Sequence, residues 1–149
     1  MLDNYEINVN TLAIIPIDSK KSKVIELEND FLVKRKTTEI IDYSCKYFGS
    51  SYLGRQEGTK NLIGFNYKSP IVIEETREII FFPTSSPRYP NCFWISLNNI
   101  NNYKKYNNIS KIIFNNNNEI IIDISYESLQ NQILRATMLE SVLRKRKNL

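Results

Sequence analysis

Apolar residues in the first third of the chain recur at every second position or in short closed runs, the spacing of strands rather than helices. Tyr5, Ile7 and Val9 alternate with Glu6 and Asn8, which predicts a half-buried strand over residues 5–9. Residues 12–17 form a second apolar run, closed by Pro16 and Asp18. Residues 23–27 and 31–33 predict a further pair of strands joined through Glu28, Asn29 and Asp30. Connections this short favour an antiparallel meander, because parallel neighbours need crossovers of about a dozen residues.

The period then changes. Ile40, Ile41, Ser44, Cys45 and Phe48 place one face of a helix inward, with Thr37 or Thr38 as its cap and Gly49 where a helix-ending glycine belongs. Residues 50–61 predict a short second helix, on which Gly54 and Gly58 leave a flat stripe. Strands resume at residues 71–73 and 79–82. Pro83, Pro87 and Pro90 make residues 83–90 a loop. Residues 93–97 and 111–114 predict strands, and residues 119–124 pair with the latter across four asparagines as a hairpin. Lys104 and Lys105, between Tyr103 and Tyr106, read as an exposed polar loop. The last segment is a long helix capped by Asp123 or Ser125, with Leu129, Ile133, Ala136, Leu139 and Leu143 as one apolar stripe. A second row, Tyr126, Leu134, Met138 and Val142, widens that face. It either covers the sheet or packs against another subunit, so these four residues are the candidate oligomer interface. Together the elements predict one domain over residues 1–149, of class α+β: an antiparallel sheet meander, one or two short central helices and a long C-terminal helix.

Composition narrows the function. No run approaches the roughly 18 apolar residues of a membrane span, and the first four residues lack the basic and apolar regions of a secretory signal. A cytoplasmic protein is expected. Cys45 and Cys92 have no metal-ligand spacing and read as free thiols. The chain has no histidine, which removes the commonest general base and most zinc sites. Residues 49–58 match no glycine-rich nucleotide motif. No metal, cofactor or enzymatic activity is expected.

The net charge of +4 is modest, but its distribution is not even. No acidic residue falls between Glu78 and Glu119, while Arg88, Lys104, Lys105 and Lys111 do. Seven basic residues against three acidic ones occupy positions 34–68, and Arg144, Lys145, Arg146 and Lys147 crowd the end. Such clustering favours an anionic partner.

Residues 40–59 read Ile-Ile-Asp-Tyr-Ser-Cys-Lys-Tyr-Phe-Gly-Ser-Ser-Tyr-Leu-Gly-Arg-Gln-Glu-Gly-Thr. This stretch resembles the Ser-Cys-x-(aromatic)-Phe-Gly-Ser-Ser-Tyr-x-Gly-Arg-x-x-Gly-Thr pattern of the competence transcription factor (ComK) family. The resemblance continues through residues 68–72, 79–85, Arg88, Pro90, Cys92 and residues 94–96, and reaches the last helix through residues 124–126, Asn131 and Gln132. It covers roughly residues 5–140, and is poorest near residues 98–108. It implies a DNA-binding activator of late competence genes, associated with the nucleoid. Its implied partner is double-stranded DNA carrying paired A/T-rich boxes, bound largely through the minor groove, and its implied assembly is a homodimer or dimer of dimers. Longer family members carry a further C-terminal tail, recognised by an adaptor that delivers the protein to an ATP-dependent protease. The sequence given stops at Leu149 without that tail, so adaptor-protease recognition is not expected to carry over.

Read without the family, the same segment holds suitable chemistry. Phosphates call for cations, and the minor-groove edge of A·T pairs, which offers acceptors, calls for slim donors. Lys46, Ser50, Ser51, Tyr52, Arg55 and Lys60 supply both within fifteen residues. The competing reading is a tight helix corner, with Gly49 and Gly54 serving backbone geometry, Tyr52 in the core and the serines capping the next helix. Ser86 and Arg88 on the proline-stiffened loop are the second candidate set. Arg144 to Lys147 read as a solvated helix end that suits the helix dipole. The alternative function is a protein-interaction module, a divergent paralogue that modulates a full-length relative without strong DNA binding of its own.

Overall fold

The computed structural model describes residues 1–148. Strands β1 (Thr11–Pro16), β2 (Ser22–Glu26) and β3 (Asp30–Val33) open the chain as an antiparallel meander. Helices α1 (Thr37–Tyr47) and α2 (Tyr52–Ile63) follow, then β4 (Ile71–Glu74), β5 (Ile79–Pro83) and β6 (Trp94–Ser96). Strands β7 (Ile100–Tyr106), β8 (Ile109–Phe114) and β9 (Glu119–Ile122) precede α3 (Tyr126–Lys147). The class is the α+β arrangement expected, with a long C-terminal helix. No helix among the described residues is long and apolar enough to cross a membrane.

The strands form two sheets, ordered β3-β2-β1-β6-β5-β4 and β7-β8-β9. The larger sheet is two local meanders joined at its centre, where Ala13 pairs with Ile95 and Ile14 with Trp94. Both of its faces are covered. Ile14, Ile73, Phe81 and Trp94 meet Ile40, Ile41 and Cys45 of α1 in one core. Ala13, Val72, Ile80, Phe82 and Ile95 meet Ile112 and Phe114 of β8 and Leu129, Ala136, Leu139 and Leu143 of α3 in the other. This is why β4 and β5 read as unbroken apolar runs rather than as alternation. Removing a fully buried ring such as Phe81, by Phe81→Ala, would cost about 3–5 kcal/mol.

Three expectations are corrected. Residues 5–9 are not a strand, although Tyr5 and Ile7 are buried as the alternation requires. Their polar groups turn to side chains instead: the Ile7 amide donates to Ser44 Oγ at 3.0 Å, the Asn8 amide to Thr11 Oγ1 at 3.0 Å, and the Tyr5 hydroxyl reaches Thr11 and Glu26. The polar stretch around Lys104 and Lys105 is not a loop but edge strand β7, paired with β8 from Ile100 to Tyr106. Neither threonine caps α1. The cap position is Lys36, whose amide donates to Glu39 Oε1 at 2.8 Å, while Thr37 and Thr38 donate to the carbonyls of Cys92 (3.0 Å) and Pro87 (3.2 Å). The other ends behave as read. Gly49 takes a left-handed φ of 88° after α1, Ser51 caps α2 and Ser125 caps α3.

Candidate nucleic-acid interface

A cleft of about 350 Å³ opens between α2, residues 64–70 and residues 84–90. Each wall is held from behind. Asp42 of α1 accepts the Tyr52 amide at 2.9 Å, which seats the start of α2, and the Tyr52 ring packs edge-on against Trp94 at 6.1 Å. Thr59 fixes the far end of α2 by donating to the Pro70 carbonyl at 2.7 Å. The second wall turns through Gly64 (φ 81°) and Lys68 (φ 48°), and α3 straps it down. Gln132 Nε2 donates to the Lys68 carbonyl at 2.9 Å and to the Pro83 carbonyl at 2.8 Å, while the Arg135 guanidinium donates to the Tyr67 carbonyl at 3.1 Å and lies 4.4 Å from the Phe65 ring. The third wall is pinned by the Thr38 hydroxyl at Pro87. There Arg88 Nε donates to Ser86 Oγ at 3.4 Å.

Among the described residues no carboxylate lines this cleft. Its polar groups are the cations Lys68 and Arg88, the amides Gln56 and Asn66, and the hydroxyls Thr38, Tyr52, Tyr67 and Ser86. Among the described residues neither Lys68 nor Arg88 joins an ion pair. Burial pushes the Tyr52 hydroxyl up to about 12, so at neutral pH it stays protonated and can donate. Two cations outside any ion pair, set among uncharged amides and hydroxyls of which only Thr38 has already given its proton to Pro87, suit a polyanion whose edges offer acceptors.

The sequence-predicted residues divide among three places. Tyr52, Ser86 and Arg88 wall this cleft. Lys46 and Ser51 wall a wider groove of about 560 Å³ along α1, which shares Tyr52 and Thr38 with the first. In that groove Arg35 and Lys46 stand beside Glu39 and Asp42, so the charges largely cancel, and Lys46 Nζ lies 2.9 Å from Asp42. Burial raises the Asp42 carboxyl, but the Tyr52 amide and Lys46 outweigh it and hold the group below the usual carboxylate range. Asp42 therefore already supplies the anion at the start of α2, and a phosphate there would meet like charge.

Ser50, Arg55 and Lys60 lie apart from both grooves. Ser50 is half-buried, its Oγ 2.9 Å from where a Cβ on Gly54 would stand. Arg55 sits near Cys45 with its Nε buried and unpartnered. Burial pushes the Cys45 thiol up to about 12, and the Arg55 charge offsets only part of that. Lys60 is exposed about 140° around α2 from Arg55, so the two cannot grip one phosphate. The basic end of α3 is not simply solvated: Arg144 pairs with Glu78 and Glu140, and Lys147 Nζ donates to the Glu75 carbonyl at 3.0 Å.

Gln56, Asn66, Tyr67 and Lys68 join the cleft without having been singled out. Their signal in the sequence is weak, since only the docking of residues 64–70 onto α3 brings them opposite Arg88.

Fold and site thus define a small α+β protein that offers an anionic partner a donor-lined, carboxylate-free cleft. The chain matches the family model described as ComK protein over residues 2–148. It is 38% identical over 144 residues to the competence transcription factor of Bacillus subtilis (strain 168), covering 94% of this chain and 75% of that one. No solved structure matches it. The chain belongs to the ComK protein family.

Proposed function

We propose that the chain is a transcription activator of competence genes that binds A/T-rich duplex DNA as an oligomer, largely through the minor groove, in the nucleoid. The observation that carries this reading is the carboxylate-free cleft, supported by the family's competence transcription factor. Arg88 on its stiff loop suits insertion into a narrow A/T-rich groove, where negative potential is concentrated. Gln56, Asn66 and Ser86 suit the acceptor-rich groove edge, and Lys68 suits a flanking phosphate. Lys46, Ser50, Ser51, Arg55 and Lys60 are flanking candidates, of which Arg55 and Lys60 join no ion pair among the described residues.

The test is fluorescence anisotropy with two short duplexes, one carrying paired A/T-rich boxes and one G/C-rich, across a salt series. The wild-type protein should prefer the A/T-rich duplex, with affinity falling linearly in log salt. Lys68→Ala should weaken both duplexes alike and lower the salt slope by about one, whereas Arg88→Ala should cost about 1–3 kcal/mol on the A/T-rich duplex and erode the preference. Equal, weak binding of both duplexes by the folded protein would refute the proposal.

A further inference from the structure

The outward side of α3 carries a strip that is not used by the fold. Glu127, Asn131, Leu134, Met138, Ser141 and Lys145 are exposed and follow one another at spacings of four, three, four, three and four. That is the repeat by which one helix packs along another. Leu134 is 59% exposed and Met138 47%. The strip is uncharged between its ends because the neighbouring charges are turned aside, Arg135 onto the Phe65 ring and Glu140 towards Arg144. Tyr126 lies outside it, stacked on Tyr103 at 5.5 Å, and Val142 is a half-buried shoulder.

The strip is also palindromic. Under a two-fold axis crossing α3 at the level of Ala136, Glu127 falls opposite Lys145 of a second copy, Asn131 opposite Ser141, and Leu134 opposite Met138. One sequence therefore provides both halves of an antiparallel contact, apolar at the centre, amide to hydroxyl outside it and oppositely charged at each end. An isologous interface requires that self-complementarity. Among the described residues Lys145 has no ion pair, and Glu127 has only a 4.0 Å approach to Lys105, so both ends are available.

We propose that the occupant of this face is a second copy of the chain, docked α3 against α3 in antiparallel register about Ala136. The contact deepens the oligomer of the proposed activator, but it forms without DNA, so the two ideas fail separately. It runs about 27 Å along the helix. A single helix pair lies at the small end of stable interfaces, so weak, concentration-dependent association is expected.

The experiment is sedimentation velocity of the full chain without DNA over a concentration series, with circular dichroism to verify folding. Glu127→Lys and Lys145→Glu each bring like charges together at both ends and should weaken self-association about tenfold. An equimolar mixture of the two variants should recover wild-type affinity, because each end then pairs opposite charges again. Leu134→Asp, at an exposed site, should leave a folded monomer at every concentration used. A wild-type chain that stays monomeric at about 100 μM would overturn the proposal, as would single variants that associate normally or a mixture that behaves as the average of its parts. A/T preference retained by a strictly monomeric wild-type chain would sink the interface and the oligomer together and leave only the A/T-rich DNA binding standing. Recovery in the mixture without any DNA preference would do the reverse.

Discussion

Gln132 ties to α3 both the wall of residues 64–70 and the end of β5, which leads into residues 84–90, so its replacement should register in stability and in binding together. The side chain is 3% exposed, and its amide spans the Lys68 and Pro83 carbonyls at 2.9 and 2.8 Å. Gln132→Leu keeps most of the volume and removes both donors. Two net hydrogen bonds at about 1 kcal/mol each are lost, and the dry Pro83 carbonyl adds part of its desolvation cost, for a sum of about 2–4 kcal/mol. For a chain of this size that corresponds to a fall in Tm of about 5–15 °C. Urea unfolding followed through Trp94, the sole and fully buried tryptophan, would measure it. Amide exchange should quicken selectively in residues 64–70 and 83–90, and affinity for the A/T-rich duplex should fall even where the variant is fully folded. Gln132→Glu adds a second check. It sets an acceptor against two carbonyls, so burial raises the new carboxyl group's pKa; its penalty is full above that raised value and relieved as the pH falls through it. The stability gap to wild type should therefore narrow between pH 7 and about pH 5. A Gln132→Leu variant within about 0.5 kcal/mol of wild type, with unchanged exchange in both loops, would refute the strap.

Gly58 has open space where a Cβ would stand, so Gly58→Ala should stabilise α2 by about 0.5–1 kcal/mol, whereas at Gly54 a Cβ meets Ser50 Oγ at 2.9 Å and Ser51 Oγ at 3.2 Å and should forfeit that gain. Thermal melts of the pair check this, and equal gains would contradict it. Cys45 is fully buried with its thiol pushed up to about 12, and Cys92 is buried and raised by the same desolvation, so neither should react with Ellman's reagent at pH 8 until urea exposes both. The Arg144 hydrogen bond holds the Glu78 carboxyl below its ordinary value of 4.5, against a smaller opposing effect of burial. A depressed carboxyl stabilises the fold above its unfolded pKa and loses that contribution as the pH falls through its folded one, so Arg144→Ala should lose less stability than wild type between pH 7 and pH 3. Urea midpoints at the two pH values decide it, with equal losses telling against the pair.

Elements that bury a continuous apolar face were legible from pattern alone: β1, β2, β4, β5, β8 and the inward stripe of α3. What failed did so for identifiable reasons. Tyr5 and Ile7 satisfy the burial pattern of a strand, but their backbone turns to a side chain instead: the Ser44 hydroxyl accepts from the Ile7 amide and donates to the Tyr5 carbonyl. Strand β7 lies at an edge with only Ile100 and Tyr103 packed against a core, and its Asn and Lys residues carry the polarity of a loop. Thr37 and Thr38 look like caps because cap chemistry is local, yet their hydroxyls serve a loop fifty residues on. The cleft was half legible. Tyr52, Ser86 and Arg88 carry suitable chemistry on their face, but the wall opposite them exists only through Gln132 and Arg135, whose reach across the chain no spacing rule contains.

The position of β6 in the middle of the larger sheet bears on how the chain acquires its shape. Strand β1 is made early, but its inner neighbour arrives about eighty residues later, a long-range pairing of the kind that slows folding. Until Trp94–Ser96 has been synthesised and released, β1 and β5 each present an open edge, and neither meander has a complete core to bury. Maturation should then be nearly all-or-none, late and exposed to strand-to-strand aggregation in the interval, so the supply of active protein would depend on folding assistance as well as on the rate of synthesis.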